Sequence, residues 1–144
     1  MGEKVKGYGT FDRVPEVVYI FDINGTLGCL HTGETSGLEL IPAKATFEYL
    51  RNENTWVGVW SGMFEWMQLQ FMNLYRIETD FVLSKANGFN FKASLAQIYK
   101  AEPKIISIGD SDEDKSLAYL YHFEFIHKYD FLQQYGDAIR TSTI

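Results

Sequence analysis

The chain has 144 residues, 46% of them hydrophobic and 22% charged, and its formal net charge is −6. This length and composition suit one compact domain with its own core and exclude an intrinsically disordered chain. The acidic balance argues against a protein that coats nucleic acid through bulk electrostatics, but it leaves a local basic patch open. The single cysteine, Cys29, excludes an intramolecular disulfide framework and a cysteine-based zinc cluster.

No apolar stretch of the sequence reaches the length of a signal-peptide core or of a transmembrane helix. A lone cysteine agrees with a reducing compartment. We therefore expect a soluble cytoplasmic protein with no membrane partner.

Five short apolar runs, rich in β-branched and aromatic residues, predict β-strands. They cover residues 17–21, 56–60, 81–83, 104–108 and 123–126. Apolar residues recur at helical spacing between these runs and after the last one. The alternation predicts an α/β fold, a Rossmann-like three-layer sandwich whose mainly parallel five-stranded sheet has the first strand at its centre. We expect a single domain over residues 1–144, with its core at about 15–140.

One helical stripe is strongly apolar, and we expect it to pack mainly into the core, although its crowding leaves a dimer contact open. Its members are Met63, Trp66, Met67, Phe71 and Leu74. A different stretch, Gly28 to Leu40, breaks the strand–helix rhythm because it is long for a connection and rich in Gly, Ser and Thr. Such loops are often functional, so we interpret residues 28–40 as a flap.

Small polar or acidic clusters follow three of the predicted strands. Asp22 ends the first strand, Ser61 follows the second, and Asp110 follows the fourth. In an open parallel sheet, ligands bind beyond the carboxyl ends of the strands. The sequence therefore predicts one site that combines these side chains.

The same clusters resemble the motifs of the haloacid dehalogenase (HAD) superfamily. Asp22-Ile23-Asn24-Gly25-Thr26-Leu27 is similar to the first motif, D-x-D-G-T-L, and Gly109-Asp110-Ser111 with Asp114 resembles the fourth, G-D-S-x-x-D. Ser61 resembles the second motif. Lys92 is our choice for the lysine of the third motif, and Lys85 is the alternative. The resemblance spans about residues 17–126.

The resemblance implies a magnesium-dependent phosphohydrolase in which Asp22 attacks the phosphoryl group and forms an aspartyl-phosphate. It implies a Mg²⁺ ion held by Asp22, the backbone carbonyl of Asn24 and Asp110, with Asp114 ligating the ion or orienting nearby groups.

The resemblance also implies roles for the remaining motif residues. Ser61 and Lys92 bind the phosphoryl oxygens, and Thr26 orients the loop that follows the first strand.

Asn24 departs from the first motif, whose second acid transfers protons to the leaving group and from water. An amide has no proton to transfer at neutral pH. General acid–base catalysis typically contributes about 10²- to 10⁴-fold, so we expect Asn24 to slow turnover. Three interpretations stay open: a substitution introduced to trap a substrate or an intermediate, a natural residue in an enzyme that is slow or takes an acidic residue from elsewhere, or a catalytically silent module that binds a phosphorylated ligand or a partner protein.

Little sequence separates the motifs, so we expect no inserted cap domain and an open site under the flap. Open sites in this superfamily tend to act on large phosphorylated substrates, and small sugar phosphates are a weaker candidate because water would be poorly excluded. Nucleic-acid ends are left open, as is an oligomer. A rival interpretation, a phosphoacceptor signalling domain, needs its acceptor Asp after the third strand, where Leu83-Ser84-Lys85 lies instead.

Overall fold

The computed structural model describes residues 14–23, 43–62, 64–74, 76–98 and 102–142. Its strands are β1 Val17–Asp22, β2 Thr55–Ser61, β3 Phe81–Ser84, β4 Lys104–Gly109 and β5 Glu124–His127. Its α-helices are α1 Ala43–Leu50, α2 Glu65–Leu74, α3 Gly88–Ile98, α4 Asp112–Leu120 and α5 Lys128–Ser142, and a 3₁₀ turn, Lys85–Asn87, precedes α3. The predicted flap, residues 28–40, lies outside the described residues.

The five strands form one sheet in the order β3-β2-β1-β4-β5. Every pairing in this sheet is parallel, and β1 is its central strand. All seven residues of β2 are buried, as are most residues of β1 and β4, because helices cover both faces of the sheet. The predicted α/β fold with a central first strand is confirmed.

Two apolar cores lie on opposite faces of the sheet and give the molecule its three layers. One core packs α1, α2 and α5 against the sheet through side chains such as Phe47, Phe71 and Phe131. The other core packs α3 and α4 through Phe91 and Ala118. Successive strand residues alternate between the two cores, as the pleat requires.

The register brings the carboxyl ends of β1, β2 and β4 together. Asp22 is paired with Trp60, and Phe21 is paired with Ile108, so that Gly109 and Asp110 reach the same edge as Asp22. Because the strands are parallel, α4 then starts at this edge and runs back across the sheet. This arrangement places the acidic ends of β1 and β4 side by side.

The stripe on α2 differs from its predicted role. Trp66 and Leu74 are exposed, and the residues that α2 buries are Gln68, Phe71 and Met72. The side-chain amide of Gln68 donates a 2.7 Å hydrogen bond to the carbonyl of Leu83 at the end of β3. That polar anchor turns the helix so that a glutamine, and not Trp66, faces the sheet. Among the helices of the described residues, none is long and apolar enough to cross a membrane.

Candidate functional site

Asp22 is a buried carboxylate at the end of the central strand. Its Oδ1 lies 2.9 Å from Nζ of Lys85. Burial raises the pKa of Asp22 to about 6; the charge of Lys85 opposes this rise, and the neighbouring Asp114 and Asp110 add to it. The side chain is therefore mostly ionised at neutral pH and protonated in mild acid.

Lys85 is the first residue after β3 and lies in the 3₁₀ turn. Its ammonium pairs with a second carboxylate, because Nζ lies 2.6 Å from Oδ1 of Asp114. Burial by itself lowers the pKa of Lys85, but the charge of Asp22 and the hydrogen bonds to both carboxylates raise it above its ordinary value. The hydroxyl of Tyr121 donates a 2.7 Å hydrogen bond to the backbone carbonyl of Lys85 and fixes the turn that carries it.

Asp114 lies in the first turn of α4, and the side chain of Ser111 caps this helix. Its Oδ2 accepts hydrogen bonds from the backbone N–H of Asp110, at 3.2 Å, and from the hydroxyl of Ser111, at 3.0 Å. Burial alone raises the pKa of Asp114, but Lys85, Ser111 and the Asp110 N–H together hold it below its usual range. Asp114 is thus a permanent negative charge that orients Lys85 and the turn around Asp110.

Gly109 makes room for this carboxylate. A Cβ atom at Gly109 would lie 2.6 Å from Oδ2 of Asp114 and 2.7 Å from its Cβ, distances that side chains do not tolerate. Glycine at the end of β4 is therefore required by the packing of Asp114 over the strand.

The three aspartates form a group that can hold a cation. Asp22, Asp110 and Asp114 each offer a carboxylate oxygen, and these oxygens lie within 4.8 Å of one another. Oxygens bound to one Mg²⁺ or Ca²⁺ ion are about 3–5 Å apart, because metal–oxygen distances are about 2.0–2.6 Å. Hard carboxylate donors at this spacing fit such an ion.

The structure brings together Asp22, Asp110 and Asp114 from the predicted site. Ser61 is buried at the same edge of the sheet, because it directly follows Trp60, the residue of β2 that is paired with Asp22. Asn24 and Thr26 lie outside the described residues.

Lys85, the alternative, is the lysine that contacts Asp22 and Asp114, and Lys92, the first choice, lies apart from them. Nζ of Lys92 donates hydrogen bonds to the carbonyls of Tyr121, at 3.2 Å, and His122, at 3.5 Å, and contacts none of the three aspartates. The physical reason is position: Lys85 directly follows a strand end, whereas Lys92 lies further along α3 and reaches the end of α4.

Tyr121 is a further member of the site that the sequence did not reveal, and Gly109, which the sequence indicated only as part of the fourth motif, has a packing role there. The glycine had a usable signal, because it stands between a strand and an acidic turn, where a close approach of another chain segment is common. The tyrosine had none, since its hydroxyl meets Lys85 only through the packing of α4 on the sheet.

No protein-family model matches the chain, and neither does any curated protein.

Proposed function

We propose that the protein is a magnesium-dependent phosphohydrolase that works through an aspartyl-phosphate on Asp22 and that Asn24 makes it slow. The observation that carries the proposal is one buried cluster, in which the carboxylate of Asp22 contacts the ammonium of Lys85 and lies beside two further aspartates. The likeness of residues 22–27 and 109–114 to the motifs of the HAD superfamily supports the same reading.

The donor set suits Mg²⁺. Asp22 and Asp110 supply the direct ligands in this proposal, and Asp114, whose two oxygens already hold Lys85 and the Asp110 turn, orients them. The ion supplies neutralisation of the negative charge on the phosphoryl oxygens.

The protein's own groups account for the nucleophilic step. With a pKa of about 6, Asp22 is mostly ionised at neutral pH and can attack phosphorus. The new bond joins an Asp22 oxygen to phosphorus, while the bond from phosphorus to the leaving oxygen breaks. Lys85 stays protonated and offsets the charge that gathers on the phosphoryl oxygens. Water then attacks the aspartyl-phosphate, releases inorganic phosphate and restores the carboxylate.

Asn24 cannot perform the two proton transfers that this scheme requires. The leaving alkoxide needs a proton and the attacking water must lose one, and the amide of Asn24 can do neither. Solvent must supply both transfers, which favours leaving groups that are stable as anions, such as aryl oxides.

The test compares phosphate release from an aryl phosphate, with and without Mg²⁺, by the chain, by Asn24→Asp and by Asp22→Asn. We expect Asn24→Asp to be faster by about 10²- to 10⁴-fold and Asp22→Asn to be inactive. Mass spectrometry of an acid-quenched reaction should find phosphate on Asp22.

A silent binding module is the second candidate, and Asn24 is the observation that favours it. If neither the chain nor Asn24→Asp turns over and no phosphate attaches to Asp22, the hydrolase proposal is lost. The silent module then accounts for the cluster.

A further inference from the structure

The ammonium of Lys85 reaches Asp22 from a strand that is not its neighbour. Lys85 follows β3, the four-residue edge strand, and β2 lies between β3 and β1. Two strand spacings are about 10 Å, so the side chain of Lys85 has to extend past β2 for Nζ to lie 2.9 Å from Asp22. The ladder between β2 and β3 ends at the pair of Ser61 and Ser84. Lys85 therefore lies just beyond the part of β3 that this ladder holds.

Two buried side chains hold the main chain at this point, one from each face of the sheet. Gln68, on α2, donates a 2.7 Å hydrogen bond to the carbonyl of Leu83. Tyr121, at the C-terminal cap of α4, donates a 2.7 Å hydrogen bond to the carbonyl of Lys85. Because α2 and α4 belong to the two opposite cores, the segment from Leu83 to Lys85 is held between both helical layers.

Helix α4 contacts Lys85 at both ends of that residue. Asp114, in the first turn of α4, accepts a 2.6 Å hydrogen bond from Nζ, whereas Tyr121, at the other end of the helix, bonds the backbone carbonyl. Asp114 and Tyr121 are seven residues apart, which corresponds to about 10 Å along a helix. The helix thus fixes both the position from which the side chain of Lys85 starts and the position at which its ammonium ends.

We propose that Gln68 and Tyr121 are positioning residues that clamp the main chain at Lys85 and so hold its ammonium beside Asp22. A lysine side chain has many rotamers, and a fixed backbone keeps more of them compatible with an Nζ between two carboxylates. The role of this ammonium at a phosphoryl group rests on the proposed function, whereas the contacts of the clamp do not depend on it.

Two conservative substitutions test the clamp. Tyr121→Phe removes the hydroxyl and keeps the ring, whose centroid lies 5.9 Å from that of Trp60 and 5.7 Å from that of Phe123. Gln68→Met removes the amide and keeps the length of the side chain. NMR of the ¹⁵N-labelled lysine ammonium groups measures how fast the Nζ protons of Lys85 exchange with water in the metal-free protein, and Lys85→Met identifies their signal. Each substitution should accelerate this exchange by about 2- to 10-fold, the change in population that one ordinary hydrogen bond supplies.

The matched controls are Tyr119→Phe and Gln133→Met. Tyr119 is 62% exposed near the end of α4, and Gln133 is exposed on α5. Both controls should leave the exchange of the Lys85 protons as it is in the unaltered chain. Unchanged exchange in Tyr121→Phe and Gln68→Met would refute the clamp, and so would an equal acceleration in the two controls.

The affinity for Mn²⁺, measured by titration, separates positioning from a general loosening of the fold. Lys85 competes with a cation for the oxygens of Asp22 and Asp114, so a displaced ammonium should let Mn²⁺ bind more tightly. Tyr121→Phe should therefore raise the Mn²⁺ affinity of the chain and should have no effect when it is added to Lys85→Met. A lower affinity in both backgrounds would mean that Tyr121 only supports the fold, and would overturn the clamp. If no variant binds Mn²⁺, the metal of the proposed function fails, while the exchange of the Lys85 protons still decides on the clamp.

Discussion

Replacing Lys85 by methionine tests the electrostatic core of the site. The substitution keeps the length of the side chain but leaves Asp22 and Asp114 without the ammonium that lies 2.9 Å and 2.6 Å from them. Removing one partner of a buried ion pair costs about 3–5 kcal/mol. The Lys85 side chain is 18% exposed, so the lower end applies, and we expect a loss of about 3 kcal/mol at pH 7.

The matched control is Lys92→Met, because Nζ of Lys92 bonds the backbone carbonyls of Tyr121 and His122 and lies over the ring of Phe123, but it pairs with none of the three aspartates. Hydrogen bonds that involve a charged group contribute about 1.5–3 kcal/mol, and these two are long and partly exposed, so we expect Lys92→Met to cost about 1 kcal/mol. Urea denaturation of both variants at pH 7 and pH 5 gives the comparison. The cost of Lys85→Met should shrink at pH 5, where Asp22 takes up a proton, and Mg²⁺ should restore part of the stability. If the two variants unfold at the same urea concentration at pH 7, the assignment of Lys85 to the site is refuted.

Three other predictions follow from single contacts. Gly109→Ala should cost about 1–3 kcal/mol by overpacking and should weaken Mn²⁺ binding, measured by titration. Gly62→Ala, whose added Cβ has nothing within 4 Å, should change neither stability nor Mn²⁺ binding. Equal effects of the two substitutions would contradict a clash between the added Cβ and Asp114. In the metal-free protein the raised pKa of Asp22 stabilises the fold below about pH 4, and about 3 kcal/mol of that stability should be lost as pH rises through 6. Urea denaturation of Asp22→Asn should show a flatter dependence of the free energy of unfolding on pH. An unchanged pH dependence would contradict the raised pKa of Asp22. Arg51→Met leaves the buried carboxylate of Asp80, 2.9 Å from the guanidinium, without its cation, and thermal unfolding should show a loss of about 3 kcal/mol; a loss below about 1 kcal/mol would mean that the pair acts as an exposed one.

The fold could be predicted from the sequence because its signals are local. Nearly continuous apolar runs at β1, β2 and β4 reflect burial on both faces, and the strand-end rule then placed Asp22 and Asp110 together. The same rule, applied to β3, points to Lys85, which directly follows Ser84. Lys92 lies within α3, and a position inside a helix does not by itself indicate where the ammonium of a long side chain ends.

The buried face of α2 could not be predicted in the same way. Hydrophobic periodicity favours Trp66 as a core residue, whereas the helix buries Gln68 with Phe71 and Met72, and the amide of Gln68 bonds the carbonyl of Leu83. A buried glutamine with a distant backbone partner gives no signal in a hydrophobic pattern. Trp66 is therefore exposed where the periodicity predicts a core residue.

The charges of the cluster argue for a bound cation more strongly than its geometry does. Asp22, Asp110 and Asp114 carry three negative charges when ionised, and Lys85 supplies one positive charge, in contact with Asp22 and Asp114. A purely structural ion pair needs one carboxylate for one ammonium. The surplus of two negative charges in this cluster is unfavourable in a buried place. In the protein alone, burial, helped by the charges of Asp114 and Asp110, keeps the proton on Asp22 up to a pH of about 6 and so reduces the surplus. A divalent cation would remove the same surplus without the proton, because three carboxylates, one ammonium and two positive charges sum to zero. Cation binding should therefore release a proton from Asp22 below pH 6, and it should leave that carboxylate ionised, as a nucleophile must be.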